Sequence, residues 1–200
     1  MDAATVEERR DVLSPDRTVI IGNEEANSKD AKFEALFFKF YSRVVRVLYG
    51  LVGDRARAEE LASDAFWRLY RQPWLEQSDG NVGGWLHRTA TNLGIDHLRA
   101  QGRRMQHMEG VERAENLSGH AANPLEEILS AERALRVRRV LARLKTSHAQ
   151  ILILRANGFS YSDLAESLGV RLGTVGTMLV RAEAAFQKQY RRMYGKEEAL

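Results

Sequence analysis

Residues 160–179, SYSDLAESLGVRLGTVGTML, carry the spacing of two short helices joined by a tight turn. Ser160 and Asp163 form the capping-box pattern that begins a helix. Gly169 stands where a turn commonly needs a positive φ, and apolar residues on both sides recur at three- and four-residue steps. The segment predicts a helix-turn-helix, whose second helix enters the major groove of DNA. The alternative is an ordinary αα-hairpin with a coincidental glycine.

Basic residues dominate the segment that follows this turn. Between Arg171 and Tyr194 the chain has five basic residues against Glu183 alone, and such a local excess suits neutralisation of phosphates. An Arg can make a bidentate contact with guanine, and a Thr can touch a phosphate or a thymine methyl. The residues best placed to meet DNA are Arg171, Thr174, Thr177 and Arg181.

The helical period of apolar residues also runs through the rest of the chain, and alternating strand patterns are absent. We therefore predict an all-α fold of two small helical domains joined by a flexible linker, the second with the helix-turn-helix. The first domain spans 30–104 and the second 125–195. A polar segment at 1–29 predicts a flexible N-terminal tail, and 105–124 predicts the linker.

Local signals mark where the helices of the first domain begin and end. The first is predicted to close near Gly53, and Asp54 stands at the N-cap of the second. The second helix stops before Pro73, and the third runs from about Trp85 to Arg103.

The third predicted helix carries a polar and basic stripe. At about 100° per residue its members fall within roughly 80° of one another, opposite the apolar residues. Trp85 projects near this stripe, and an aromatic ring beside Arg side chains suits the binding of unstacked bases. The alternative is a solvated helix face with Trp85 as a buried anchor. The members of the stripe are Arg88, Asn92, Asp96, Arg99 and Arg103.

Composition and missing motifs exclude several classes of protein. The chain has no cysteine, so it has no disulfide, thiol nucleophile or sulfur-ligated zinc. It carries no nucleotide-binding glycine loop and no H-E-x-x-H, and its histidines are scattered. We expect no enzymatic activity, no cofactor and no metal. Because no apolar run approaches about 18 residues and the N-terminus is too polar for a signal peptide, we expect a soluble, cytoplasmic protein without membrane insertion.

Two separated blocks together resemble the extracytoplasmic-function type of sigma factor of bacterial RNA polymerase. FEALFFKFYSRVVRVLYGLVGD, AEELASDAFWRLYR and GWLHRTATNLGIDHLRAQGRR are similar to successive helices of that family's first domain. ILILRANGFSYSDLAESLGVRLGTVGTMLVRAEAAF is similar to its second domain. The resemblance implies a sigma factor that binds core RNA polymerase and directs initiation at promoter DNA.

For the first domain, the resemblance implies two surfaces. The helix at 58–71 matches the one that grips the largest polymerase subunit, although Ser63 replaces the usual Gln and Glu60 the commoner Asp. The helix at 85–103 matches the one that reads the −10 element, and the loop at about 74–84 matches the one that captures a flipped base. Trp85 and the stripe are the implied −10 contacts. The implied polymerase contacts are Glu59, Glu60, Asp64, Arg68 and Arg71.

For the second domain, the resemblance implies recognition of the −35 element. The family usually reads G-T-V-K/R-S-R in the recognition helix, whereas Gly176 and Met178 replace two basic residues here. Arg181 still matches a −35-contacting position. We expect a −35 contact that depends on Arg181, Arg171 and Thr177, with a sequence preference that differs from the family's.

The resemblance also implies an anti-sigma partner and a linker that threads through the polymerase. Two other classes of protein stay open at this point. One is a sigma-like mimic that sequesters an anti-sigma factor, which the missing basic residues at Gly176 and Met178 favour. The other is a stand-alone helix-turn-helix regulator, which leaves the first block unexplained.

Overall fold

A computed structural model describes residues 17–75, 81–107 and 124–195, with side chains for 29–75, 81–104 and 129–195. Within these ranges the chain consists of seven α-helices, one short 3-10 helix and their connections, which confirms the all-α prediction. The elements are α1 (Arg17–Val52), α2 (Arg55–Tyr70), the 3-10 helix (Pro73–Leu75), α3 (Val82–His107), α4 (Pro124–Arg143), α5 (Thr146–Ala156), α6 (Tyr161–Leu168) and α7 (Leu172–Tyr194).

The connection between α1 and α2 forms as the sequence predicts. Gly53 has a φ of 77°, in the left-handed region where glycine carries no Cβ penalty. The Asp54 side chain then accepts a hydrogen bond from the Arg57 backbone N–H at 2.7 Å. This contact satisfies one of the N–H groups that the first turn of a helix leaves unpaired.

The helix-turn-helix also has its predicted local structure. Ser160 and Asp163 form a reciprocal capping box at the start of α6. Gly169 ends α6 with a φ of 67° and directs the chain into α7. Leu164 and Val175 are fully buried where the two helices meet.

The start of α1 differs from the predicted tail at 1–29. α1 begins at Arg17 and continues through Gly22 and Asn23. Gly in a helix interior costs about 1 kcal/mol relative to Ala and does not forbid a helix, and Pro15 precedes the helix. Residues 1–16 of the tail and residues 108–123 of the linker lie outside the described residues.

Two hydrophobic clusters hold the helices together. One consists of residues from α1 to α3 and is centred on Phe66, Leu69 and Leu86. The second is built mainly from α4 to α7 but also contains Val47 and Leu51 of α1 and Ile95 and Leu98 of α3. The two helical blocks therefore pack directly on each other and share part of a core. No helix in the described parts of the chain is long and apolar enough to cross a membrane.

Candidate nucleic-acid interface

An open cavity of about 500 Å³ lies between the C-terminal end of α2 and the N-terminal half of α3. Trp85 lines it and meets the ring of Trp74 edge-on, with the ring centroids 5.6 Å apart. Asn92 of the stripe and Thr89 line the same cavity, together with two arginines. The full lining is Arg68, Arg71, Gln72, Trp85, Thr89 and Asn92.

This cavity brings together residues for which the family resemblance implied different roles. Arg68 and Arg71 were expected at the polymerase, whereas Trp85 and Asn92 were expected at the −10 element. Both arginines are exposed, so their guanidinium groups can place positive charge beside an indole and an amide. An aromatic face with neighbouring arginines is suited to an unstacked base and its phosphate.

Asn92 is engaged by the second helical block. Its Oδ1 accepts a hydrogen bond from Gln150 Nε2 at 2.9 Å. Gln150 belongs to α5 and is 6% exposed. The same Nε2 lies 3.4 Å from Thr91 Oγ1 and 3.4 Å from the Arg88 carbonyl oxygen. The amide of Gln150 therefore rests on the α3 stripe.

Arg99 also contacts the second block. Its Nε donates to the carbonyl of Ala142 at 3.2 Å, and its Nη2 donates to the carbonyl of Leu144 at 3.0 Å and to Thr146 Oγ1 at 3.2 Å. The two carbonyls lie at the end of α4, where helix carbonyls lack partners within the helix and carry partial negative charge, and Thr146 is the first residue of α5. The ion pair between Arg99 and Asp96 is longer, at 3.7 Å.

The other members of the stripe are accessible. Arg88, Asp96 and Arg103 are all exposed. Arg88 extends toward the turn of the helix-turn-helix, because a Cβ added at Gly169 would lie 3.6 Å from its Nη1. The structure thus leaves Arg88, Asp96 and Arg103 open to solvent and half-buries Asn92 and Arg99 against the second block.

His87 is buried beside this contact between the blocks. Its ring meets Phe40 of its own block at 5.9 Å and Phe159 of the second block at 4.7 Å, both edge-on. Burial and the nearby Arg43 guanidinium lower the pKa of His87 to about 4, although Asp163 acts in the opposite direction. The imidazole is therefore neutral near pH 7, and its Nδ1 has no hydrogen-bond partner among the described residues.

The predicted −35 residues share one exposed face of α7. Val175, Leu179 and Ala182 hold the other face in the core. Arg171 precedes α7 as its N-cap residue and makes no side-chain capping bond. The exposed set is Arg171, Thr174, Thr177 and Arg181.

α2 carries the predicted acidic polymerase contacts on the side away from its core. Glu59 pairs with Arg55 at 2.9 Å, and Glu60 pairs with Arg57 at 2.6 Å. Asp64 is exposed. Trp67 follows at helical spacing and is 60% exposed, so α2 presents a large apolar side chain to solvent.

The positions of Trp67 and Gln150 were not predicted from the sequence. A Trp within an apolar helical pattern usually belongs to the core, and only the packing of α2 shows that Trp67 faces outward. Gln150 carried no motif, and its partner Asn92 lies 58 residues earlier in the chain. One sequence feature did suggest that Trp67 faces outward, because Trp67 lies between the predicted contacts Asp64 and Arg68.

Comparisons with known proteins match both helical blocks of the chain. Residues 36–104 match the family model of sigma-70 region 2, and residues 134–186 match that of sigma-70 region 4. The RNA polymerase sigma-H factor of Pseudomonas aeruginosa is 31% identical over 165 residues, which cover 78% of this chain and 84% of that protein. The RNA polymerase sigma-E factor of Escherichia coli is 28% identical over 83% of this chain and 91% of that protein.

Another relative and a solved structure extend the comparison. The ECF sigma factor SigE of Mycolicibacterium smegmatis is 32% identical over 70% of this chain and 54% of that protein. The sigma factor RpoE of Bartonella quintana was solved in complex with the anti-sigma factor NepR. It is 22% identical to this chain, the match covers 80% of this chain and 96% of the RpoE chain, and the TM-score is 0.44. The two family regions occur in this order, and the chain is 31% identical to a sigma factor over most of that protein's length. The chain therefore belongs to the sigma-70 family. It is an alternative sigma factor of the extracytoplasmic-function type, which directs transcription initiation and is not an enzyme.

Proposed function

We propose that the cavity between α2 and α3 receives an unstacked base of the −10 element. The observation that carries this proposal is the meeting of Trp85, Asn92 and two arginines around one open cavity of about 500 Å³. The indole offers a stacking face, and the amide of Asn92 offers both a donor and an acceptor for a base edge. Under this proposal Arg68 and Arg71 serve the DNA strand rather than the polymerase.

The energetics of base capture support promoter opening without a nucleotide cofactor. Taking a base out of a duplex costs a few kcal/mol, and stacking a base on an aromatic side chain contributes about 1–3 kcal/mol. The two quantities are similar, so binding of the opened strand offsets much of the opening cost. Arg88, Asp96, Arg99 and Arg103 extend the same surface along α3 and would follow the strand beyond the captured base.

The exposed face of α7 is the proposed −35 reader. Arg181 would contact a base edge, Thr174 and Thr177 a phosphate or a thymine methyl, and Arg171 a phosphate near the N-terminus of α7. Gly176 and Met178 supply no charge, so the contact depends more strongly on Arg181 than a fully basic helix would.

The acidic face of α2 is the proposed contact with core RNA polymerase. Glu59, Glu60 and Asp64 provide the charge, and Trp67 provides an apolar anchor of the kind that dominates binding energy at protein interfaces. We assign 30–104 to sigma domain 2 and 125–195 to sigma domain 4, place the protein in the cytoplasm, and expect an anti-sigma factor as a further partner.

Matched tryptophan variants test the division between the DNA and polymerase surfaces. The wild-type chain is mixed with core RNA polymerase and genomic DNA fragments of the host bacterium, and RNA 5′ ends are sequenced to map its promoters. Trp85→Ala should lose initiation at these promoters and keep its affinity for the polymerase. Trp67→Ala should instead lose polymerase affinity. If Trp85→Ala weakened polymerase binding as strongly as initiation, the cavity would not be a DNA site.

A further inference from the structure

We propose that two copies of this chain pair through the outer face of α1 and α2, centred on Phe38 and Trp67, and that the dimer covers the surface assigned above to core RNA polymerase. The pairing itself goes beyond the proposed function, whereas its effect on polymerase binding rests on that function. Three features of this face point to a second copy as its partner: two exposed aromatic rings, a charge pattern that complements itself, and small residues around the rings.

The two exposed rings belong to one aromatic patch. Phe38 is 75% exposed and Trp67 is 60% exposed, and a series of ring contacts joins them. The ring of Trp67 stacks on Tyr70 with the centroids 5.9 Å apart, and Tyr70 meets Phe33 edge-on at 5.2 Å. Phe33 contacts Phe37 at 6.3 Å, and Phe37 meets Phe38 edge-on at 6.3 Å. Exposed apolar patches of this kind mark sites of protein association.

The charges on the outer face of α2 change sign along the helix. Glu60 and Asp64 are acidic, Arg68 and Arg71 are basic, and all four side chains are exposed. When a second α2 lies antiparallel on the first, Glu60 of each copy meets Arg71 of the other, and Asp64 meets Arg68. A two-fold axis forms each such pair twice, because residue i contacts j and j contacts i. The face therefore complements itself in the antiparallel arrangement, whereas a parallel one places like charges together.

Phe38 lies at the level where this two-fold axis crosses the face. The ring of Phe37 contacts the ring of Phe66 with the centroids 4.9 Å apart, so this part of α1 lies beside Phe66. In the sequence, Phe66 stands about midway between Glu60 and Arg71. An axis that pairs Glu60 with Arg71 therefore passes near Phe38 and brings the Phe38 rings of the two copies together.

Small side chains surround both rings. On α1, Ala35 and Ser42 lie one turn before and one turn after Phe38, and both are exposed. On α2, Ser63 is exposed one turn before Trp67, and its hydroxyl donates to a carbonyl of its own helix at 2.9 Å. Because that hydroxyl already has a partner, an indole of the second copy can cover Ser63 without leaving a buried donor unpaired.

The size of this face predicts a weak, reversible dimer. α2 has 16 residues and is therefore about 24 Å long, so two helices from each copy give an interface at the low end of specific interfaces, roughly 1,200 Å² in total. Exposed ion pairs contribute little individually, and we expect Phe38 and Trp67 to supply most of the affinity. Because Glu60, Asp64 and Trp67 are also the proposed polymerase contacts, core RNA polymerase and a second copy compete for one face.

Charge reversal tests the pairing in the full chain, with sedimentation velocity as the measurement and no polymerase present. The wild-type chain should pass from the mass of one copy to that of two as its concentration rises through the micromolar range. Glu60→Arg and Arg71→Glu should each weaken the dimer about tenfold, because each variant places like charges opposite one another on both sides of the axis. The double variant should regain wild-type self-association, because both pairs form again with their signs exchanged.

The control for charge reversal is Glu166→Arg, at an exposed glutamate of α6, which should leave self-association unchanged. Circular dichroism establishes that each variant keeps its helical content. A wild-type chain that stays monomeric at every concentration would overturn the proposal. A folded double variant that associates as weakly as the single variants would overturn it as well, because the pairs would not be reciprocal.

Variants of the two rings separate the dimer from the polymerase contact. Phe38→Ala should make the chain monomeric and keep its affinity for core RNA polymerase, whereas Trp67→Ala should lose both. Leu172→Ala, at an exposed apolar residue of α7, should leave the dimer unchanged. Added polymerase should convert the wild-type dimer into a complex with one copy. A dimer that binds polymerase without dissociating would contradict the shared face. Failure of the proposed function is a different result, in which the chain dimerises and binds no polymerase.

Discussion

Arg181 is the residue of α7 on which −35 recognition should depend most. It is exposed and lies one helical turn beyond Thr177, on the face opposite the buried Leu179. Arg181→Ala should therefore weaken −35-dependent initiation by roughly 1–3 kcal/mol and relax the preference at one base pair. The measurement is transcription from promoters that differ at single −35 positions.

The control for Arg181 is Arg192 in the last turn of the same helix. A residue that only neutralises phosphate weakens binding uniformly across sequences and reduces the salt dependence. Arg192→Ala should follow that pattern. If Arg181→Ala also affected all promoters equally, it would be a phosphate contact and not a base contact.

The Asp54 N-cap allows the contribution of one local hydrogen bond to the stability of the first domain to be measured. Its carboxylate accepts from the Arg57 N–H at 2.7 Å, and removing such a cap costs about 1 kcal/mol. Asp54→Ala should lower the free energy of unfolding by that amount in urea titrations. Asp54→Ser, which retains a capping oxygen, should lose only a small part of it. Equal losses in both variants would show that the cap is not the cause.

At the scale of helices and turns, the sequence predicted what local chemistry determines. Gly53, Asp54 and Gly169 acquire their roles from neighbours within a few residues, so each could be inferred before any tertiary contact was known. The outward position of Trp67 could not be inferred in this way. It depends on which face of α2 packs against α1, and a Trp satisfies the helical pattern equally well on either side.

Two glycines of the helix-turn-helix should respond to alanine in opposite directions. Gly169 has a φ of 67°, which costs an L-residue about 1–2 kcal/mol. Gly169→Ala should therefore destabilise the protein. Gly176 lies within α7, and a Cβ there meets only Tyr161 Cε2 at 3.9 Å, an ordinary contact. Gly176→Ala should stabilise the protein by up to about 1 kcal/mol.

Thermal unfolding of the two glycine variants measures this contrast. A difference in sign between them would establish that Gly169 is required by its backbone conformation and that Gly176 is not. If both variants destabilised the protein, the glycine at 176 would be needed for close packing. Gly176→Ala also allows −35 binding to be measured on a more rigid helix without adding charge.

Across the whole molecule, the arrangement of the two domains was beyond sequence reasoning. The sequence predicted two blocks and their order, and the family regions at 36–104 and 134–186 agree with that order. It did not predict that Leu51 and Leu98 would share a core with Leu154 of the second block. Contacts of this kind join residues far apart in the chain, and the helical periodicity of the sequence does not predict them. The stripe on α3 was therefore predicted as exposed, although Asn92 and Arg99 are half-buried against the second domain.

Acid should weaken the whole structure through His87. Protonation of this buried side chain is unfavourable in the folded protein, where its pKa is about 4 against an ordinary value of 6.5. A lowered histidine pKa means that the unfolded chain binds the proton more readily, so stability is lost as the pH falls from 6.5 toward 4. Between pH 7 and pH 5 the loss should be about 2 kcal/mol.

Two other titrating groups must be separated from His87 in this experiment. Hydrogen bonds from Ser160 lower the pKa of Asp163 below its ordinary value of 3.8, so Asp163 keeps its charge throughout the pH 5–7 window. Partial burial and Arg57 also lower the pKa of His97 below its ordinary value of 6.5, so His97 acts on stability in the same direction as His87. Urea unfolding at pH 7 and pH 5 should therefore be compared in a His97→Gln background. There His87→Phe, which keeps a ring between Phe40 and Phe159, should remove most of the difference. A difference that persisted in the His87→Phe variant would mean that another group causes the acid sensitivity of the folded protein.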